Sequence, residues 1–200
     1  MSHAAVLLAG GKSSRMGRDK SALLVNGRPL WERQLEVLRA TDPAELFISG
    51  KTGGPYAGSG IEILADEFPD AGPLAGIASA LRRCGSEWLL VLAVDMPAMT
   101  ADFLRILLDE ARSTAAGVVP SAPADRDTGG RGLEPLAAVY PRVALRFAED
   151  CLRSGERKME AFIRLLESQG LVAVRPAEPD ASRLFRNWNT PGDLPASQRE

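Results

Sequence analysis

Two short segments of this sequence carry the residues best suited to chemistry. The first spans residues 8–20, where Gly10 and Gly11 precede four cationic side chains. Those cations are Lys12, Arg15, Arg18 and Lys20. Glycines let backbone N–H groups approach a phosphate closely, and successive N–H groups form an anion-binding nest. We therefore expect this segment to hold a polyphosphate, although a Gly- and Lys-rich surface turn has the same composition.

The segment is neither of the two familiar nucleotide-binding loops. Gly11-Lys12-Ser13 copies the end of the P-loop, but the first glycine of that motif would fall on Val6. The dinucleotide-binding pattern G-x-G-x-x-G is also missing. An anion site here must be of another kind.

The second segment, Val94-Asp95-Met96-Pro97, follows the strongest apolar run of the chain. A carboxylate at the end of a buried strand can hold Mg²⁺, which prefers oxygen ligands and usually takes one or two carboxylates besides phosphate and water. Aspartate also caps turns. Spacing alone does not decide between these two roles for Asp95.

Two further features lie between these segments. Asp66 ends another apolar run and could meet a ribose hydroxyl or the metal. Gly72 and Gly76 flank the start of a predicted helix, whose N–H groups could bind an anion or a base edge. A simple packing turn explains the two glycines equally well.

The composition argues against several other chemistries. His3 is the only histidine, and we expect it at a mobile terminus, which leaves little room for histidine-based triads or metal sites. Cys84 and Cys151 are far apart, so we expect two buried or partly buried thiols rather than a disulfide or zinc site. The net charge of -2 gives no general attraction to nucleic acid or membrane. With no targeting segment recognised, we expect a cytoplasmic protein.

Apolar runs and amphipathic patterns alternate along the chain. The runs predict strands at residues 4–9, 46–48, 61–64, 88–94, 118–119 and 136–140. Helical periodicity predicts helices after Pro29, over 74–81, after a Thr100 N-cap and around 159–166. This alternation predicts one domain over residues 1–200, a three-layer α/β/α sandwich with a mainly parallel sheet. We expect a long mobile loop from Pro120 to Gly132 and a frayed tail after Pro195.

A parallel sheet of this kind binds ligands beyond the carboxyl ends of its strands. Both chemical segments follow strands, so the fold should bring them to one edge. Taken in order, the motifs resemble the molybdenum cofactor guanylyltransferases, which have a Rossmann-like, nucleotide-diphospho-sugar-transferase type of fold. The resemblance covers nearly the whole chain. It is carried by residues 8–11 and 15–20, 27–31, Asp66, 72–76, 95–97, 134–136, 154–158 and 187–191.

The resemblance implies a reaction. A magnesium-dependent transferase would move GMP from GTP to the phosphate of molybdopterin and release pyrophosphate. It also implies handover of the product to an insertion chaperone or a molybdoenzyme apoprotein. Neither nucleic acid nor a membrane would be a partner.

The resemblance further implies roles for single residues. The backbone of Leu8, Ala9, Gly10 and Gly11 would contact the nucleotide, and Gly72 and Gly76 would shape its pocket. Lys20 would bind the phosphates, Arg15 would neutralise charge, and Asp66 would contact the nucleotide. Asp95 would bind both Mg²⁺ and nucleotide, while Asn187 and Asn189 would face the pterin.

Two positions bear on the identity of the nucleotide. Ser49 stands where the family often has an asparagine that contacts the nucleotide, and serine reaches less far. Relatives that use CTP tend to have alanine at the position of Gly10, so the room left by this glycine suits the larger guanine.

Three alternatives remain open at this point. A related transferase could use CTP or activate a sugar phosphate, which base-preference and acceptor assays would reveal. A non-catalytic module could bind nucleotide without turnover, although it would have no need of Lys20 and Asp95 together. A general interaction protein would bind no nucleotide at all.

Overall fold

The computed structural model describes residues 2–10, 20–25, 27–65, 67–68, 70–122 and 132–188. Several predictions fall outside these residues. They concern Gly11, Arg15, Asp66, Asn189, the side chain of Lys20, most of the loop between Pro120 and Gly132, and the tail after Pro195.

Seven strands form the main sheet, in the order β5-β4-β1-β6-β8-β7-β9. They are β1 (His3–Leu8), β4 (Glu45–Ser49), β5 (Glu62–Leu64), β6 (Trp88–Ala93), β7 (Gly117–Ser121), β8 (Ala137–Pro141) and β9 (Val172–Pro176). Strand β8 pairs antiparallel with both neighbours, and the other pairs in this sheet are parallel. A separate hairpin joins β2 (Leu24–Val25) to β3 (Arg28–Pro29). The mainly parallel sheet is therefore confirmed.

Helices cover both faces of the sheet. They are α1 (Leu30–Arg39), α2 (Pro73–Arg83), α3 (Ala101–Thr114), α4 (Ala144–Ser154) and α5 (Met159–Ser168), with 3-10 turns at Lys20–Ala22 and Pro179–Phe185. One apolar cluster joins α2, α4 and α5 to the sheet, and another joins α1 and α3 to its opposite face. Within the described residues, no helix has the length and apolarity needed to span a bilayer.

The central strands are apolar throughout because both of their faces are covered. All residues of β1 and β6 are buried. Along β1, Ala4, Val6 and Leu8 belong to one cluster, and Ala5 and Leu7 belong to the other. This alternation places β1 at the centre of a three-layer sandwich.

Two elements differ from prediction. Helix α4 was not predicted, although its buried residues Ala144, Ala148, Cys151 and Leu152 follow one another at helical spacing. The predicted loop starts too early, since β7 continues through Pro120 and Ser121, which pair with β9. Proline and serine suggest a loop, but pairing with a neighbouring strand overrides that local preference.

The expectation that His3 lies at a mobile terminus is wrong. His3 begins β1 and is only 2% exposed, with its Nε2 3.1 Å from Thr41 Oγ1. Burial, followed by the charge of Arg112, lowers the pKa of His3 to about 4. A neutral His3 therefore lies at the amino end of β1, away from the carboxyl edge where ligands bind in such folds.

Candidate functional site

The carboxyl ends of β1, β4 and β6 meet at one edge of the sheet. Ala9 N and Gly10 N both donate to Ser49 O, over 2.9 and 3.0 Å. On the other side, Val94 N donates to Leu8 O over 3.1 Å. The two segments predicted to carry chemistry are therefore neighbours, as the parallel sheet requires.

Main-chain and side-chain hydrogen bonds fix the turn that carries Asp95. Trp188 N donates to Asp95 O over 2.9 Å, and Met99 N donates to Met96 O over 3.1 Å. Gln34, fully buried on α1, donates its Nε2 to the same Met96 carbonyl. The half-buried Asp95 thus sits on a backbone that is held from two other parts of the chain.

Sequence reasoning missed Gln34, although a signal was available. Leu30, Gln34 and Leu38 follow one another at four-residue spacing and are all buried in the structure. A polar residue on the apolar face of a helix needs a hydrogen-bond partner. Here that partner belongs to the candidate site.

The segment predicted to face the acceptor reaches the same edge. Trp188 packs against the apolar cluster of α1 and α3, and its backbone N–H binds Asp95 O. Asn187, the preceding residue, is exposed. The chain arrives through the 3-10 turn Pro179–Phe185, where Phe185 packs edge-on against Phe103 at 5.4 Å.

Gly72 and Gly76 each have a structural reason to be glycine. Gly72 has φ 73° immediately before α2, a conformation that favours glycine. A Cβ on Gly76 would overlap Ser49 Oγ and lie 3.1 Å from Leu8 Cδ2. Gly76 therefore lets α2 approach the ends of β1 and β4, and the buried Ser49 side chain lies beneath this helix. Nucleotide contacts by these three residues stay predictions.

Gly10 differs from these glycines. A Cβ there would lie 3.5 Å from Gly50 Cα and 3.7 Å from Ser49 O, which is ordinary contact. Packing among the described residues does not require glycine at this position. Close approach of a ligand would explain a glycine at this position. The preference for guanine is not tested by these contacts and stays a prediction.

A loop after β4 is built around the buried Tyr56, another residue that sequence reasoning missed. Tyr56 Oη accepts a hydrogen bond from Lys51 N over 2.8 Å, and its ring meets Trp31 edge-on at 6.4 Å. A Cβ on Gly50 would overlap Tyr56 Oη and lie 2.8 Å from Cζ. Because Gly50 borders Gly10, this packing fixes one wall of the candidate site.

Gly50→Ala is expected to lower the free energy of unfolding by about 1–3 kcal/mol, since the methyl group overpacks a rigid ring. Gly53→Ala is the matched control, because nothing lies within 4 Å of a Cβ there. That control should be neutral or slightly stabilising. Urea unfolding compares the two variants, and wild-type stability of Gly50→Ala would contradict the packing argument.

Comparison with known proteins identifies the family. Residues 5–172 match the model of the MobA-like NTP transferase domain. The chain belongs to this family. It is 38% identical over 200 residues to a probable molybdenum cofactor guanylyltransferase of Opitutus terrae, covering 98% of this chain and 95% of that protein. It is 32% identical to the molybdenum cofactor guanylyltransferase of Syntrophotalea carbinolica, covering 98% and 90%.

A solved structure agrees with this membership. The molybdopterin-guanine dinucleotide biosynthesis protein A of Archaeoglobus fulgidus superimposes with a TM-score of 0.76 at 26% identity, covering 95% of this chain and 94% of that one. The fold is thus that of the nucleotide-diphospho-sugar transferases, as predicted, and the chain is a nucleotidyltransferase.

In this MobA-like transferase, the connection between α4 and α5 approaches the site from the side of α2. Gly155 ends α4 with φ 82°, and Arg157 follows. Arg157 Nη1 donates to Asp70 O over 3.0 Å, just before Gly72. The predicted motif 154–158 therefore contacts the segment that leads into α2.

Glu134 lies at the same sheet edge, just before β8. Its backbone N donates to Pro120 O over 2.8 Å, and Leu136 O accepts from Ala93 N, also over 2.8 Å. Its half-buried carboxylate forms no hydrogen bond or ion pair with any residue that the structure describes. Burial raises the pKa of Glu134 to about 7.

Proposed function

We propose that this chain transfers the GMP part of GTP to the phosphate of molybdopterin, forming molybdopterin guanine dinucleotide and releasing pyrophosphate. Family membership and the names of the relatives support this activity. The observation that carries the proposal is the shared position of two segments. The glycine-rich end of β1 borders the turn of Asp95, and the backbone of Trp188 is hydrogen-bonded to Asp95.

The nucleotide side of the site combines backbone and charge. In the proposal, the backbone from Leu8 to Gly11 lies along the nucleotide, and Asp66 contacts it. Lys20 and Arg15 neutralise the phosphates. The backbone of Lys20 begins a 3-10 turn that includes the fully buried Ser21 and leads to Leu23, whose carbonyl accepts from Leu30 N.

We propose Mg²⁺ as the metal, with Asp95 as its protein ligand. Asp95 offers a half-buried carboxylate beyond a strand end. The described residues contain no group of three or more His, Cys, Asp or Glu side chains able to hold a metal ion. Mg²⁺ usually takes one or two protein carboxylates and completes its coordination with phosphate oxygens and water. When bound, the ion neutralises charge on the phosphates.

The transfer depends on the relative positions of the acceptor phosphate and GTP more than on a reactive side chain. A phosphate oxygen of molybdopterin attacks the α-phosphorus of GTP in line, and the bond from that phosphorus to the bridging oxygen of pyrophosphate breaks. The acceptor phosphate is already ionised, so no side chain has to remove a proton. The protein then contributes orientation and charge neutralisation.

The acceptor side of the site rests on two amides. Asn187 and Asn189 each offer donors and acceptors, which suit the polar edges of a pterin. The anchored backbone of Trp188 between them supports this role. Handover of the product to an insertion chaperone or apoenzyme stays a prediction.

The first test is a thermal-shift titration with GTP, CTP, ATP and UTP, each with and without Mg²⁺. A ligand that binds only the folded state adds about 2.7 kcal/mol of stability at a hundredfold excess over Kd. We expect a selective shift with GTP that depends on Mg²⁺, followed by formation of the dinucleotide when molybdopterin is added. A CTP-selective shift would indicate a cytidylyltransferase instead. Failure to form the dinucleotide with folded protein would refute the proposal.

A further inference from the structure

Glu134 lies close to the ends of two strands of the sheet. It follows Leu133, which bridges to Ser121 at the end of β7, and it precedes the turn whose Leu136 carbonyl binds Ala93 N at the end of β6. The residue therefore lies at the carboxyl edge of the sheet, between the ends of two strands. This edge also carries the turn of Asp95.

The environment of Glu134 is unusual for a carboxylate. Partly buried carboxylates normally have hydrogen bonds or a cation to offset their loss of hydration. No described residue supplies either, and burial alone raises the pKa of the group to about 7. The side chain thus bears a desolvation cost without a partner among the described residues, which a bound donor would offset.

We propose that Glu134 binds the 2-amino-4-oxopyrimidine edge of a substrate, accepting hydrogen bonds from its ring N–H and its amino group. This inference rests on the proposed function, because that edge is common to guanine and to the pterin of molybdopterin. Its two adjacent donors match the two oxygens of one carboxylate, and such charge-assisted bonds are strong. Glu134 is thereby a residue for substrate specificity, distinct from the groups that hold phosphates.

The test compares Glu134→Gln with Glu87→Gln, a matched control. Glu87 is exposed next to the amino end of β6, where its backbone carbonyl accepts from Arg142 N. For each variant, the KM for molybdopterin and the kcat/KM ratio for GTP over ITP are measured, since ITP lacks the 2-amino group. A site that hydrogen-bonds an amino group discriminates against the analogue without it.

Two results support the inference and identify the substrate. If Glu134 binds guanine, Glu134→Gln lowers the GTP-to-ITP ratio about tenfold and leaves the KM for molybdopterin unchanged. If it binds the pterin, the KM for molybdopterin rises about tenfold and the ratio stays at its wild-type value. Glu87→Gln should match the wild type in both measurements.

The remaining results overturn the inference. Wild-type values for Glu134→Gln in an active enzyme would remove the role of Glu134 and leave the proposed function intact. A change confined to the Mg²⁺ requirement would assign Glu134 to the metal, and a uniform loss with a lower Tm would assign it to the fold. An inactive wild type would refute the proposed function and this inference together. Folding of the variant is expected at pH 8, because an amide removes the cost of burying a charge.

Discussion

Asp95→Asn is expected to lower the rate of GMP transfer about 10²–10³-fold while the protein stays folded, since a preorganised electrostatic contact of this kind has an effect of that size. Asparagine preserves the volume of the side chain and removes its charge. The backbone carbonyl that accepts from Trp188 N is unchanged, so the turn should persist. Steady-state kinetics and a Mg²⁺ titration measure the effect.

A surface aspartate provides the control for Asp95. Asp109 is exposed on α3 and pairs with Arg112 over 3.2 Å, so Asp109→Asn removes the same charge from a remote face. We expect that variant to transfer GMP at the wild-type rate. If Asp95→Asn retained activity within about tenfold of wild type, the proposed role of Asp95 in binding metal and nucleotide would be wrong.

The architecture was predictable because its central strands are unambiguous. The runs at β1 and β6 are apolar at every position, and such runs predict strands buried on both faces. Parallel pairing then brings their carboxyl ends to one edge. The structure pairs β1 with β6 and joins their ends by a hydrogen bond from Val94 N to Leu8 O.

The contacts by which Gln34 and Tyr56 support the candidate site were not predictable in the same way. Gln34 binds a carbonyl 62 positions away, and Tyr56 fills a space left by Gly50 and Gly54. The spacing of Gln34 on α1 indicates that its side chain needs a partner, but no local pattern identifies that partner or the space that Tyr56 fills, because each depends on how distant elements pack. Local propensity informs on helices and strands, while these contacts belong to tertiary structure.

The glycines of the candidate site show a similar limit to what sequence alone can predict. In the sequence, the glycine-rich motifs at Gly10, Gly72 and Gly76 all suggest ligand binding. The structure shows that these positions do not share one reason for being glycine. Gly76 is required by the packing of α2 on Ser49, and Gly72 by its backbone conformation. Of these three glycines, only Gly10 has no explanation in packing among the described residues, so that position has the strongest case for contact with a ligand.

Lys20→Ala should lower turnover by about 10²–10³-fold, because it removes a fixed cation from the phosphates of GTP. The backbone of Lys20 begins a 3-10 turn, and the next residue, Ser21, is fully buried. Lys20→Arg keeps the charge but changes its geometry, so it should recover only part of the rate.

Lys51→Ala tests whether position or mere charge explains the effect of Lys20. Lys51 is exposed at the carboxyl edge, two residues after β4, and its described hydrogen bond to Tyr56 uses the backbone N–H. If Lys20 binds phosphate directly, Lys51→Ala keeps nearly full activity. Equal losses in the two alanine variants would instead mean that the edge attracts GTP only through its general positive charge, and raised salt should then lower both rates alike.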